Sequence, residues 1–201
     1  MTLSGDPAQA DDPVDPTAPT GRDEAGAAAG GTPRASVGWL AGHWEGAGVG
    51  GYPGMESFQF GQELEVAALP SGWAWRSRTW QVHPDGTLGR ALAAESGFLR
   101  TPQDGSVELV LAHGSGVAEV YVGEATGQRL ELRTDVVVRT ASASPYAAGV
   151  RLYGLVDDEL LWAFDMAAGD QEMASHVSAR LRRVAVGAPL GAGPGDRAPT
   201  G

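Results

Sequence analysis

The chain carries four histidines and no cysteine, and these two facts set most of the chemistry open to it. Without thiols there is no disulfide framework, no thiolate metal site and no cysteine nucleophile. His43, His83, His113 and His176 are scattered, so a zinc centre with the usual close ligand spacing is not expected. His83 opens the turn His83-Pro84-Asp85-Gly86 and is expected in solvent. His43 alternates away from Trp44 and is expected at the surface. His113 ends the run Val107 to His113 just before Gly114-Ser115-Gly116, where a hydrogen bond to a loop carbonyl is the expected use of its ring. His176 lies on the last alternating run of the chain. From its residues alone this histidine can be a surface group, a hydrogen-bonded group or a single axial ligand to a metal, and the first two are the commoner fates.

Other catalytic patterns fail on their surroundings. The acid pairs Glu63/Glu65 and Asp157/Asp158 fall on a polar strand face and in a turn, where carboxylates are simply solvated. Ser115 is flanked by glycines, but no helix follows to make a nucleophile elbow. The glycine-rich stretches at 25–31 and 46–51 lack the Lys-Ser/Thr of a phosphate-binding loop. The formal net charge is −11, from 14 Lys and Arg against 25 Asp and Glu, so the basic footprint of a nucleic-acid binder is missing.

The elements that would position these residues are strands. In Ser57 to Val66, the side chains of Phe58, Phe60, Leu64 and Val66 fall on one face and those of Gln59, Glu63 and Glu65 on the other. In Arg129 to Arg139, the residues Leu130, Leu132, Val136 and Val138 oppose Arg129, Glu131, Arg133 and Asp135. Turn residues punctuate the runs at 83–86, 103–105, 126–127, 157–158 and 169–170. About ten strands are expected, at 39–49, 56–67, 73–82, 90–100, 106–113, 117–123, 129–139, 149–156, 159–167 and 174–184, with a short helical turn near Ser36 to Ala41 ahead of the first. Evenly spaced hairpins without helices predict an all-β, antiparallel up-and-down barrel, and about ten strands enclose a central ligand cavity.

The ends differ from this middle. Residues 1–34 and 187–201 are built mainly from Asp, Pro, Ala, Gly and Thr, too poor in large apolar side chains to offset the entropy of ordering, so both are expected to be disordered tails flanking a domain at 35–186. The start of the chain lacks a basic segment followed by an apolar one, and nowhere do eighteen apolar residues run together, so a cytoplasmic protein with no membrane contact is expected.

One local pattern stands out: Gly42-His43-Trp44-Glu45-Gly46-Ala47-Gly48, then Tyr52-Pro53. Alternation puts Trp44, Gly46 and Gly48 on one face. Glycines so spaced mark strong coiling or the close approach of a backbone or ligand, so the indole could plug the barrel with space for a ligand beyond it. A bent strand with nothing bound fits equally well. The aromatic cluster Trp73, Trp75 and Trp80 reads as core and barrel wall.

The Gly-x-Trp-x-Gly-x-Gly and Tyr-Pro motif, with Glu95-Ser96-Gly97-Phe98-Leu99-Arg100, the run Val107 to His113, and Met173, His176, Val177, Ala179, Leu181 and Arg183 at the end, resembles the nitrobindins. The four motifs occur in order across residues 37–184. The resemblance implies a fatty-acid-binding-protein-like barrel holding heme b, with His176 as the iron ligand and Trp44, Gly46, Gly48, Gly54 and Ser144 around the cofactor. It implies isomerisation of peroxynitrite to nitrate at ferric heme and binding of nitric oxide. A non-catalytic carrier or sensor of nitric oxide or heme, or a barrel for another hydrophobic ligand, is the alternative. Two positions depart from the family: Gly54, where many relatives carry Thr, and Ser144, in place of a Lys. Together they remove a hydroxyl and a cation from the pocket, which Arg139 or Arg151 could replace. If His176 faces the cavity, strict alternation sends Ser178 and Arg180 there too.

Overall fold

The computed structural model describes residues 37–185. Ten strands follow one another as a meander: β1 (Gly42–Tyr52), β2 (Met55–Leu69), β3 (Gly72–Val82), β4 (Leu88–Arg100), β5 (Val107–His113), β6 (Val117–Thr126), β7 (Arg129–Arg139), β8 (Ala148–Val156), β9 (Glu159–Ala167) and β10 (Ala174–Val184). Each pairs antiparallel with its sequence neighbours, and β1 pairs with β10 from His43↔Val184 to Gly50↔Val177, which closes the barrel. The expected strands are all present. The first lies three residues later than expected because Gly38–Leu40 form a 3₁₀ turn, within the stretch read as a helical turn. The expected tails at 1–34 and 187–201 lie outside the described residues.

One end of the barrel is sealed. Val37 and Leu40 are fully buried, the Trp44 indole N–H donates to the Leu40 carbonyl at 2.8 Å, and the Arg183 guanidinium lies 4.1 Å from the centre of the Trp44 ring. Leu64, Val66, Leu99, Leu109, Leu130, Leu132, Leu160 and Leu181 fill the space above this plug. Gly46 is required by strand packing: a Cβ there would sit 2.1 Å from the Arg180 carbonyl oxygen across the β1–β10 seam.

Register shifts interrupt the pairings β1–β2, β3–β4, β6–β7 and β9–β10, and two of these bulges overturn the facing expected from period-two alternation. Leu130 and Leu132 point inward as expected, but the pairing of β6 with β7 slips between Val120 and Tyr121, and beyond the slip Val136 and Val138 are 45% and 60% exposed rather than buried with them. An extra residue in one strand inverts the facing of everything after it. The second bulge is in β10, at the histidine discussed below.

At the end opposite the plug, the connections β1–β2, β3–β4, β5–β6, β7–β8 and β9–β10 surround a cavity of about 820 Å³. β7 and β8 are paired only over Arg129–Arg133 and Val150–Gly154, and the segment joining them brings Ser144, Pro145 and Tyr146 to the cavity.

Candidate functional site

His176 lines the cavity because β10 is bulged. Register shifts between Ser175 and Val177, so the inward set Val177, Ala179 and Leu181 is joined by His176, while Ser178 and Arg180 stay exposed on the outer face. Strict alternation had tied His176 to Ser178 and Arg180; the extra residue releases it from them. The ring is held by a hydrogen bond from Nδ1 to the Gly51 carbonyl oxygen at 3.0 Å. A carbonyl only accepts, so the proton is on Nδ1 and the lone pair on Nε2. Nε2 has no hydrogen-bond partner among the described residues. Tyr52, Phe58 and Phe164 present ring edges to the imidazole, with centroids 5.9, 6.2 and 6.1 Å away. The Tyr52 hydroxyl is itself fixed, donating to the Met166 carbonyl at 3.1 Å and accepting from the Ala168 N–H at 3.0 Å. An imidazole clamped through Nδ1 among aromatic rings, with Nε2 free, has the arrangement of a metal-ligating histidine oriented by its outer partner.

Across the cavity lies a polar network that sequence reasoning missed. The Arg151 guanidinium is 4% exposed and grips both oxygens of Glu95 at 2.9 and 2.8 Å, donates from Nε to the Tyr121 hydroxyl at 3.0 Å, and approaches Glu119 at 3.6 Å. Glu119 accepts from His113 Nε2 at 2.5 Å, from the Tyr121 hydroxyl at 2.6 Å and from the Tyr146 hydroxyl. Trp75 Nε1 donates to Glu95 at 3.1 Å. Burial pushes the Glu95 carboxyl up, but the charge and hydrogen bonds of Arg151 outweigh it and hold the group below the ordinary 4.5. Glu119 is held down in the same way, against burial, by the His113 hydrogen bond and the Arg151 charge. Burial pushes Tyr153, whose hydroxyl accepts from Arg151 at 3.3 Å, up to about 12. His113 therefore bonds a carboxylate rather than the expected loop carbonyl. In the β5–β6 hairpin Leu111 sits opposite Glu119, and His113, two residues on, points the same way. Arg151 is wholly engaged here, and Arg139 donates to the Ser144 carbonyl at 3.2 Å.

The other expected contacts divide. Ser144 lines the cavity with His176. Gly54 follows Pro53 in the two-residue turn between β1 and β2, with φ +84°, a conformation strained for any residue with a Cβ. Trp44, Gly46 and Gly48 are not brought to the cavity. The space beside Gly48 holds the Phe60 ring, 2.4 Å from where a Cβ would be, so these glycines serve close packing rather than leaving room for a ligand. Trp75 is buried against Tyr153 with ring centres 5.4 Å apart, and Trp80 lies over Gly61 with its buried Nε1 unpaired among the described residues. Gln62 bridges the cavity wall, donating to Ser77 at 3.0 Å and accepting from Trp162 Nε1 at 2.7 Å. His83 is exposed, and His43 lies 3.7 Å from Glu65 on the outer face.

A closed antiparallel barrel that presents one oriented imidazole to an internal cavity defines a ligand-binding β-barrel with a single-histidine site. The model of the THAP4-like, heme-binding beta-barrel domain matches residues 35–183, and the chain belongs to that family. A protein named peroxynitrite isomerase from a Nocardioides species is 49% identical over 149 residues, which cover 73% of this chain and 90% of that one. A ferric nitrobindin-like protein from Kineococcus radiotolerans is 42% identical over 162 residues, with the same coverage of 73% and 90%. The crystal structure of Rv2717c from M. tuberculosis superposes with a TM-score of 0.66 at 33% identity, covering 73% of this chain and 94% of that one.

Proposed function

We propose that this chain holds heme b through Nε2 of His176 and, with the iron ferric, isomerises peroxynitrite to nitrate; with the iron ferrous it binds nitric oxide. The observation that carries this reading is the clamped imidazole: Nδ1 is committed to the Gly51 carbonyl, and Nε2 is free among the residues that line the cavity. The surroundings fit a large flat apolar group. Phe58, Phe60, Leu92, Phe164, Met166 and Val177 form apolar wall, and the volume of about 820 Å³ lies high in the range of small-molecule sites. Arg90 is exposed at the cavity rim without an ionic partner among the described residues, which makes it the cation available to the propionates in place of Arg151. Held by His176, ferric heme would supply a Lewis-acidic iron for the rearrangement of peroxynitrite to nitrate, a reaction with no net gain or loss of electrons. The protein's part is to fix the imidazole, exclude water with aromatic rings and hold His113 away from ligation by its bond to Glu119. The relatives named peroxynitrite isomerase support the reaction.

Titration with hemin tests the reading. His176→Ala should lose tight binding or shift the Soret band, and His83→Ala should do neither. An unchanged titration in His176→Ala, with binding abolished in His113→Ala, would move the ligand to His113. Stopped-flow peroxynitrite decay no faster than in buffer, with heme bound, would leave binding without turnover.

A further inference from the structure

The tyrosines occupy chemically distinct places. Tyr121 and Tyr153 are 0% and 2% exposed, and each hydroxyl accepts a hydrogen bond from the Arg151 guanidinium. A cation donating to a phenol oxygen withdraws electron density and opposes oxidation. Tyr52 donates to the backbone carbonyl of Met166, which cannot take a proton. Tyr121 also donates to Oε1 of Glu119, at 2.6 Å, but it carries the Arg151 cation and is fully buried; Tyr146 has the carboxylate without the cation. Its partly exposed side chain lines the cavity, and its hydroxyl donates to Oε1 of Glu119, a carboxylate able to accept the proton. The Phe164 ring neighbours both this phenol and the imidazole, with its centre 6.3 Å from that of Tyr146 and 6.1 Å from that of His176.

A phenol gives up an electron most readily when its proton leaves at the same time along an existing hydrogen bond to a base. We propose that Tyr146 is a modification site of this protein, oxidised and then nitrated by nitrogen dioxide, with Glu119 as the positioning residue that takes its proton. Nitrogen dioxide is the one-electron oxidant released when the O–O bond of peroxynitrous acid breaks homolytically. One molecule takes an electron from the phenol and becomes nitrite, while the hydroxyl proton passes to Glu119. A second molecule forms a C–N bond at the ring carbon beside the hydroxyl, and the hydrogen on that carbon moves to the oxygen. One phenol and two nitrogen dioxide molecules thus yield one 3-nitrophenol, one nitrite and one proton. The inference rests on the proposed peroxynitrite chemistry for its source of oxidant.

The test is a site map. Full-length protein, with and without one equivalent of hemin, is exposed to peroxynitrite, digested, and its 3-nitrotyrosine located by mass spectrometry, with peroxynitrite decomposed beforehand as the control. Nitration at Tyr146 should exceed that at Tyr52 about tenfold, and Glu119→Gln should remove most of that preference, on the scale of one charge-assisted hydrogen bond lost at the barrier. Tyr52 in the same digest is the internal standard, so a general loosening of the barrel, which would expose all four sites, reads differently from loss of the proton acceptor. Tyr146→Phe leaves Glu119 with its bonds to Tyr121 and His113 and should lose most of the nitrotyrosine. Nitration led by Tyr52, or spread evenly over the tyrosines, would overturn the proposal, as would an undiminished preference for Tyr146 in folded Glu119→Gln. The wild-type map decides the matter if that variant does not fold. The heme reading is scored separately, by the Soret titration: Tyr146 selectivity in the heme-free protein can hold when hemin binding fails, and hemin binding can hold when the selectivity fails.

Discussion

Replacing Arg151 by Met removes a cation that holds two carboxylates, the buried Glu119 and the half-buried Glu95. Arg151 and Glu95 have side chains 5% and 14% exposed and share a two-pronged contact, with Glu119 3.6 Å from the same guanidinium. Removing one partner from a buried pair typically costs roughly 3–5 kcal/mol. The loss is limited, however, because a stranded carboxylate can take up a proton. From an ordinary value of 4.5, protonating one carboxylate at pH 7 costs about 3.4 kcal/mol at 1.36 kcal/mol per pH unit, and at pH 5.5 only about 1.4 kcal/mol. Arg151→Met should therefore be about 3 kcal/mol less stable at neutral pH, a fall in Tm of about 6–12 °C for a domain of this size, with the deficit shrinking by half or more at pH 5.5. The pH trends run in opposite directions. In the wild type the two carboxyls are held below 4.5, so their stabilisation is present above that value and is lost as pH falls through the lower folded values. In the variant only His113 and the Trp75 hydrogen bond still oppose burial at Glu95, so its carboxyl moves up, the folded state binds the extra proton, and stability rises as pH falls from 7 toward 5. Urea melts followed by tryptophan fluorescence at pH 7, 6 and 5.5 measure both proteins. A deficit below 1 kcal/mol at pH 7, or one equal at pH 7 and 5.5, would refute the assignment of Arg151 as the counter-charge.

Three further outcomes are expected. Gly46→Ala places a Cβ 2.1 Å from the Arg180 carbonyl and should cost roughly 1–3 kcal/mol in thermal or urea melts; an unchanged melt would show that the β1–β10 seam can widen. Gln62→Leu strands Trp162 Nε1 and the Ser77 hydroxyl and should cost about 1–3 kcal/mol with a shift in tryptophan emission; wild-type stability would mean that water replaces the amide. Deleting residues 1–33 should leave Tm within a few degrees, because their composition offers too little large apolar surface for a packed core, and a larger drop would show that the segment docks on the barrel.

The ten strands and their meander were legible in the sequence because half-buried strands must alternate and tight turns need Gly, Asp, Asn or Pro, and both constraints are local. Recognition of the family was equally local, carried by Gly42 to Gly48, Tyr52-Pro53 and the motif around His176. The facing of His176 was not legible. Whether it shares a side with Val177 or with Ser178 depends on the bulge between Ser175 and Val177, which exists only in the pairing of β10 with β9. The same limit misplaced Val136 and Val138, beyond the slip in the β6–β7 pairing. Gly48 could be read as room for a ligand only until Phe60, from the neighbouring strand, filled it. The grouping of Glu95, His113, Glu119 and Arg151 was not legible either, since they come from β4, β5, β6 and β8, and Glu95 and Arg151 are 56 residues apart. Closing the barrel turns them to one interior, where low dielectric makes their pairing obligatory.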